Sequence, residues 1–123
     1  MLHFDHNEFD SPDIPNSGIN MDNKFLNMLD DARGIAGIPF KINSGYRSKE
    51  HNTKVGGKIK TPTSKGSSHM YGLAADISVT NSLDRFTIMD SLIEAGFNRI
   101  GVGNTFIHVD SDSEKSPYVI WTY

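Results

Sequence analysis

The sequence contains no cysteine. That excludes disulfides and thiolate zinc sites, and leaves His, Asp and Glu as the side chains able to hold a metal. It also lacks any window near the ~18 to 20 unbroken apolar residues of a membrane-spanning helix. An excess of basic residues is missing too: 12 Lys and Arg against 15 Asp and Glu give a net charge of −3 and a pI near 5.9. A nucleic-acid binder needs a basic face to neutralise phosphates, so neither nucleic acid nor membrane is expected as a partner. The opening residues Met1-Leu2-His3-Phe4-Asp5-His6 have neither a basic n-region nor an apolar h-region, and no secretory signal is read there. Internal repeats and low-complexity tracts are absent.

With 123 residues, 37% of them apolar, and a mean hydropathy of −0.41, there is material for one core. The expectation is a single domain over residues 1–123, monomeric by default. Residues 1–19 hold Pro12, Pro15 and Gly18 among polar and acidic residues, and read as an irregular leader packed on the body. A helix follows. Asn20 or Asp22 can cap it, Phe25, Leu26, Leu29, Ala32, Ile35 and Ala36 recur at three- and four-residue spacing, and Gly37 and Pro39 end it. Phe40 to Asn43 alternates as a short strand.

A short helix is expected over Ser48–Val55, stopped by Gly56-Gly57. The polar stretch Lys58–Ser68 reads as a mobile surface loop. Leu73–Val79 reads as a strand containing Asp76. Ser82 is the expected cap of a second long helix, with Leu83, Phe86, Met89, Leu92 and Ile93 on its apolar side and Gly96 at its end. Strands over Arg99–Gly103, Thr105–Asp110 and Tyr118–Tyr123 complete the chain. This pattern predicts an α+β fold with a small, mainly antiparallel sheet flanked by helices.

Three stretches carry chemistry. Ser67 to Asp76 has the form S-x-H-x-x-G-x-A-x-D, Phe106-Ile107-His108-Val109-Asp110 carries an H-x-D, and Ser44-Gly45-Tyr46-Arg47-Ser48 follows a strand. His69, Asp76 and His108 offer two imidazoles and a carboxylate, a suitable zinc set with a fourth position left for water. Gly72 and Ala74 are small, so the backbone can double back without obstructing a metal. His108 and Asp110 point to one face of a strand, and a carboxylate beside a metal-bound water is where a general base belongs. The guanidinium of Arg47 suits a substrate carboxylate or a developing oxyanion; equally, Arg47 can neutralise Asp76 in a structural ion pair. Tyr71 and Trp121 are candidates to wall a cleft, with the core as the alternative place for Trp121. His3, His6 and His51 read as outside any site. Asp30, Asp31, Asp112 and Glu114 read as solvated.

Together these stretches resemble the zinc D-Ala-D-Ala carboxypeptidase and L-alanyl-D-glutamate peptidase family of peptidoglycan-peptide hydrolases, which shares its fold with hedgehog domains. The small single-domain members from phage endolysins and prophages look most similar, and the likeness runs from about Phe9 to the C-terminal Tyr123. The resemblance implies one zinc ion held by His69, Asp76 and His108. It also implies a substrate-orienting or oxyanion role for Arg47 and a loop-holding or substrate-binding role for Ser67. Several branches of the family carry Glu or Asp three residues before the second histidine, where this chain has Thr105. The base role is therefore assigned to Asp110; the alternative is that Asp110 orients His108, with Asp112 or a loop residue as the base.

The implied activity is hydrolysis of an amide bond in peptidoglycan stem or cross-link peptides. A lysine-bearing loop, with Lys58, Lys60 and Lys65, is read as a holder of that acidic peptide. A phage-encoded chain would be made in the host cytoplasm and reach the wall at lysis. Two rivals stand beside this reading: a non-catalytic zinc-containing wall-binding or virion module, and a metal-free domain with a buried polar network of His69, Asp76 and Arg47.

Overall fold

The computed structural model describes all 123 residues. Helix α1 spans Asn23–Ala36, strand β1 Lys41–Ser44, helix α2 Lys49–Lys54, strand β2 Ala74–Ser78 and helix α3 Ser82–Glu94. Strands β3 (Arg99–Val102), β4 (Phe106–Asp110) and β5 (Val119–Thr122) follow. Together the strands form one five-stranded sheet in the order β1-β2-β4-β3-β5. All neighbours are antiparallel except β3 and β5, which run parallel. The α+β class and mainly antiparallel sheet expected from the sequence are what the structure has.

Local chemistry explains the element ends. Asp22 caps α1 by accepting from the Phe25 backbone N–H at 2.9 Å, and Gly37 ends it with a left-handed φ of 69°. The α3 cap is Asn81 rather than Ser82: its side chain accepts from the Asp84 N–H at 2.8 Å. The buried side of α3 also differs from the expected stripe. Leu83, Phe86 and Ile93 are exposed, while Ile88, Ser91 and Leu92 are buried. Ser91 tolerates burial because its hydroxyl donates to the Ile88 carbonyl at 2.7 Å.

Strand alternation divides the sheet into two faces. Ala75, Ile77, Ile100, Ile107 and Val109 pack with Phe25, Leu26 and Leu29 of α1 and with Ile88 and Leu92 of α3 in one apolar cluster. Burying each large side chain there contributes roughly 1.5–3 kcal/mol. The first nineteen residues coil into two 3-10 turns, His6–Phe9 and Ser17–Asn20. Phe4 and Phe9 enter the same core, their rings meeting edge to face at 5.4 Å.

The opposite face of the sheet carries polar and aromatic residues. Direct cross-strand pairing joins Ser44 to Asp76, Asp76 to His108, His108 to Gly101 and Gly101 to Trp121. One row of residues thus crosses all five strands, and the sequence-distant chemistry lies along it.

Candidate metal centre

Two members of the expected ligand set, Asp76 and His108, are cross-strand partners and so share a face at contact distance. The third, His69, sits in a 3-10 turn over Ser68–Tyr71 that is stitched to the end of β1. The Arg47 N–H donates to the His69 carbonyl at 3.1 Å, and His69 Nδ1–H donates to the Gly45 carbonyl at 2.8 Å. Ser67 starts this turn, its hydroxyl accepting from the His69 N–H at 3.3 Å. Gly72 ends it with φ 70°, and a Cβ there would strike the Asn20 carbonyl. The glycine is thus required by the backbone of the leader, not by clearance around a metal.

The three ligand groups converge. His69 Nε2 lies 3.3 Å and His108 Nδ1 2.9 Å from the same Asp76 oxygen, Oδ1, and one ligand atom from each residue falls within 4.8 Å of the others. The outward nitrogens are both tied to acceptors: His69 Nδ1 to the Gly45 carbonyl, and His108 Nε2 to Asp110 Oδ2 at 2.8 Å. In neutral rings this leaves the inward nitrogens bare, two lone pairs facing a carboxylate. Such an arrangement calls for a cation between them. Two imidazoles and one carboxylate, each orientated from behind, fit a zinc ion with an open coordination position.

The ionisation pattern agrees. Burial works against the charged form of Asp76, yet His108 and His69 outweigh it and hold the carboxyl well below the usual range. Burial pulls His69 below its ordinary value despite Asp76. Burial also opposes charge on His108, but its bonds to Asp110 and Asp76 prevail and set it above its ordinary value.

Arg47 approaches the other oxygen of Asp76. Its Nη2 lies 3.3 Å from Asp76 Oδ2, its Nε donates to Ser44 Oγ at 3.0 Å, and its Nη1 donates to Asn52 Oδ1 at 3.3 Å. The guanidinium therefore flanks the ligand cluster without filling its centre. Asn52 is a residue that sequence reading missed. It is completely buried, holding Arg47 with one end of its amide and the Lys58 carbonyl with the other, at 2.9 Å. A fully buried asparagine in a helix of six residues has no distinctive sequence signal.

Asp110 is tied to His108 and Arg99. Its Oδ2 accepts from His108 Nε2, the side of the ring away from Asp76, while Oδ1 accepts from Arg99 Nε at 2.7 Å and from the Asp112 N–H at 3.1 Å. Both oxygens are thus occupied behind the histidine, the place of a residue that orients His108, the alternative given for it from the sequence. Thr105 is exposed at the β3–β4 hairpin and does not line the cleft. Asp112, expected to be solvated, is buried and accepts from Ser68 Oγ at 2.7 Å and Lys65 Nζ at 3.1 Å.

The cluster opens into a cleft of about 920 Å³ walled by the Val55–His69 segment on one side and by β4, β5 and the Glu114–Ser116 turn on the other. Ser67 and Trp121 line it; Tyr71 does not. The Tyr71 hydroxyl instead donates to the Lys65 carbonyl at 2.8 Å, with the Lys65 ammonium 4.3 Å from its ring centre, so it props the loop from outside. Trp121 packs on His108 with ring centres 5.6 Å apart. It reaches that ring because Gly101 lies between them in the sheet: a Cβ on Gly101 would be 2.7 Å from the indole. His3, His6 and His51 stand apart from the cluster.

No curated protein matches the chain. The family model described as Peptidase M15 matches residues 3–110, a span that contains Arg47, both histidines, Asp76 and the whole of β1 to β4. With that span and this convergence of ligands, the chain belongs to the Peptidase M15 family, whose peptidases depend on zinc.

Proposed function

We propose that this protein is a zinc metallopeptidase that hydrolyses an amide bond in the stem or cross-link peptides of peptidoglycan, in the manner of small endolysin-type enzymes. The observation that carries the reading is the pair of imidazole nitrogens, His69 Nε2 and His108 Nδ1, meeting on one oxygen of Asp76. A zinc ion held by these three residues would supply Lewis-acid chemistry, polarising the scissile carbonyl and acidifying water at neutral pH.

The chain's own residues do the rest. Arg47, fixed by Ser44 and Asn52, presents guanidinium N–H groups to the carbonyl oxygen as negative charge develops on it, where a preorganised donor is most effective. Ser67 and Trp121 line the groove in which the peptide lies. Asp110 keeps His108 in the tautomer that directs Nδ1 inward. Of the three carboxylates lining the cleft, Asp76 is a ligand and Asp110 is held by His108 and Arg99; Glu114, the most exposed of the three and paired only with Lys65, is the one assigned to accept the proton from water.

Purified cell walls and metal analysis test the reading. The wild type should bind one zinc ion and clear a wall suspension, and His69→Ala and His108→Ala should lose both properties. Zinc bound without release of any peptide fragment, as judged by mass spectrometry, would identify a binding module instead. Fragment masses would also identify the bond that is cut.

A further inference from the structure

The protein is net negative, yet the cleft has cations that no carboxylate holds closely. Its lining includes Arg47, Lys58, Arg99 and Lys115 against Asp76, Asp110 and Glu114. Asp110 neutralises Arg99 at 2.7 Å, Asp76 belongs to the ligand cluster, and Glu114 pairs at 2.7 Å with Lys65, which lies outside the lining. Two ammonium groups remain, those of Lys58 and Lys115.

Lys115 is unlike an ordinary surface lysine. Its side chain is half-buried, and its ammonium donates to Ser68 Oγ at 2.7 Å and to the Gly66 carbonyl at 3.1 Å, both uncharged acceptors. The nearest carboxylate, Asp112, is 3.9 Å away and already holds Ser68 and Lys65. Burial outweighs that carboxylate and draws the Lys115 pKa below its ordinary value. A cation fixed on neutral groups at the wall of a cleft has attraction left over for an anion that enters. Lys58 faces the same cleft, and its ammonium makes no hydrogen bond or ion pair within the protein. Its backbone is anchored, its carbonyl accepting from Asn52 Nδ2 and the Ser67 N–H.

We infer that Lys115 and Lys58, reaching the cleft from opposite loops beside the His69 turn, form a subsite for a substrate carboxylate separate from the group that Arg47 faces. The inference rests on the peptidase reading and deepens it: it names the two side chains that select a substrate by one of its free carboxylates. Stem peptides offer two such groups, the α-carboxylate of a γ-linked D-glutamyl residue and the terminal carboxylate.

The zinc-loaded full chain is assayed on three synthetic peptides: L-Ala-γ-D-Glu-L-Lys-D-Ala-D-Ala, its glutamyl α-carboxamide and its C-terminal carboxamide. Loss of a charge-assisted contact is expected to lower kcat/KM for one of the two amides by roughly ten- to a hundredfold, chiefly through KM. Which amide suffers identifies the carboxylate that is read. In Lys115→Met and Lys58→Met this preference should collapse towards unity with zinc content retained. Lys58→Met is the cleaner variant because its ammonium supports no other group. A preference that survives in both variants, or a wild type that cuts all three peptides equally, overturns the subsite. If neither walls nor peptides are cut, the peptidase reading fails, and the subsite is judged by NMR titration with N-acetyl-D-glutamate. Shifts at Lys115 and Ser68 that vanish in Lys115→Met support it, and their absence in the wild type overturns it.

Discussion

At the scale of single residues, the division of labour between Asp110 and Glu114 is the sharpest question. Asp110 touches His108 on the side remote from Asp76 and is itself held by Arg99. Asp110→Asn should therefore weaken zinc binding by about ten- to a hundredfold, read by competition against a chelating dye. Glu114→Gln should retain the metal and lower kcat. The reverse pattern, with zinc retained in Asp110→Asn and only the rate lost, would return the base to Asp110. The ligands themselves were legible in the sequence because His69 and Asp76 share a dense ten-residue motif and His108 falls on an alternating strand. Arg99 and Asn52 were not legible. Each acts on a functional side chain from a neighbouring element, and such a pairing leaves no local spacing to read.

At the scale of elements, the 58–68 loop and the 111–117 turn are joined by a buried carboxylate. Asp112 accepts from Ser68 of the first and is salt-bridged to Lys65, while Lys115 reaches back to Gly66. Burial raises the Asp112 pKa, but the bonds from Ser68 and Lys65 outweigh it and leave it below its ordinary value. A carboxyl depressed in the folded state contributes stability that is present above its unfolded pKa of about 3.9 and is lost as pH falls through the lower folded value. Asp112→Asn should therefore cost about 1–3 kcal/mol near pH 7, and the gap from the wild type should close below about pH 4. Thermal melts of both proteins across that range check it. The elements were mostly visible in the sequence, since Asp22, Gly37 and the alternation in β2 and β4 are local signals. The phase of α3 was not. Leu92 and Met89 of the expected stripe do meet the core, but Ser91 hides beside them by bonding its own helix while Leu83 and Phe86 stand exposed, so hydrophobicity alone gave only part of the buried side.

At the scale of the whole molecule, the helices and leader seal one sheet face and the other displays a single row of chemistry. Binding of a metal by three separated segments, the Ser68–Tyr71 turn, β2 and β4, ties them together in the folded state alone. Saturating zinc at about a hundred times its dissociation constant should add roughly 2.7 kcal/mol. A chelator should lower the melting temperature accordingly; an unchanged melt would indicate a metal-free polar network. The row also gives the protein its own optical gauge. Its only tryptophan lies against His108 across the bare backbone of Gly101, so indole emission senses whether that imidazole carries a proton, a metal ion or neither. Filling and emptying of the centre can thus be followed by intrinsic fluorescence in the unlabelled protein, with no competing emitter of the same kind elsewhere in the chain.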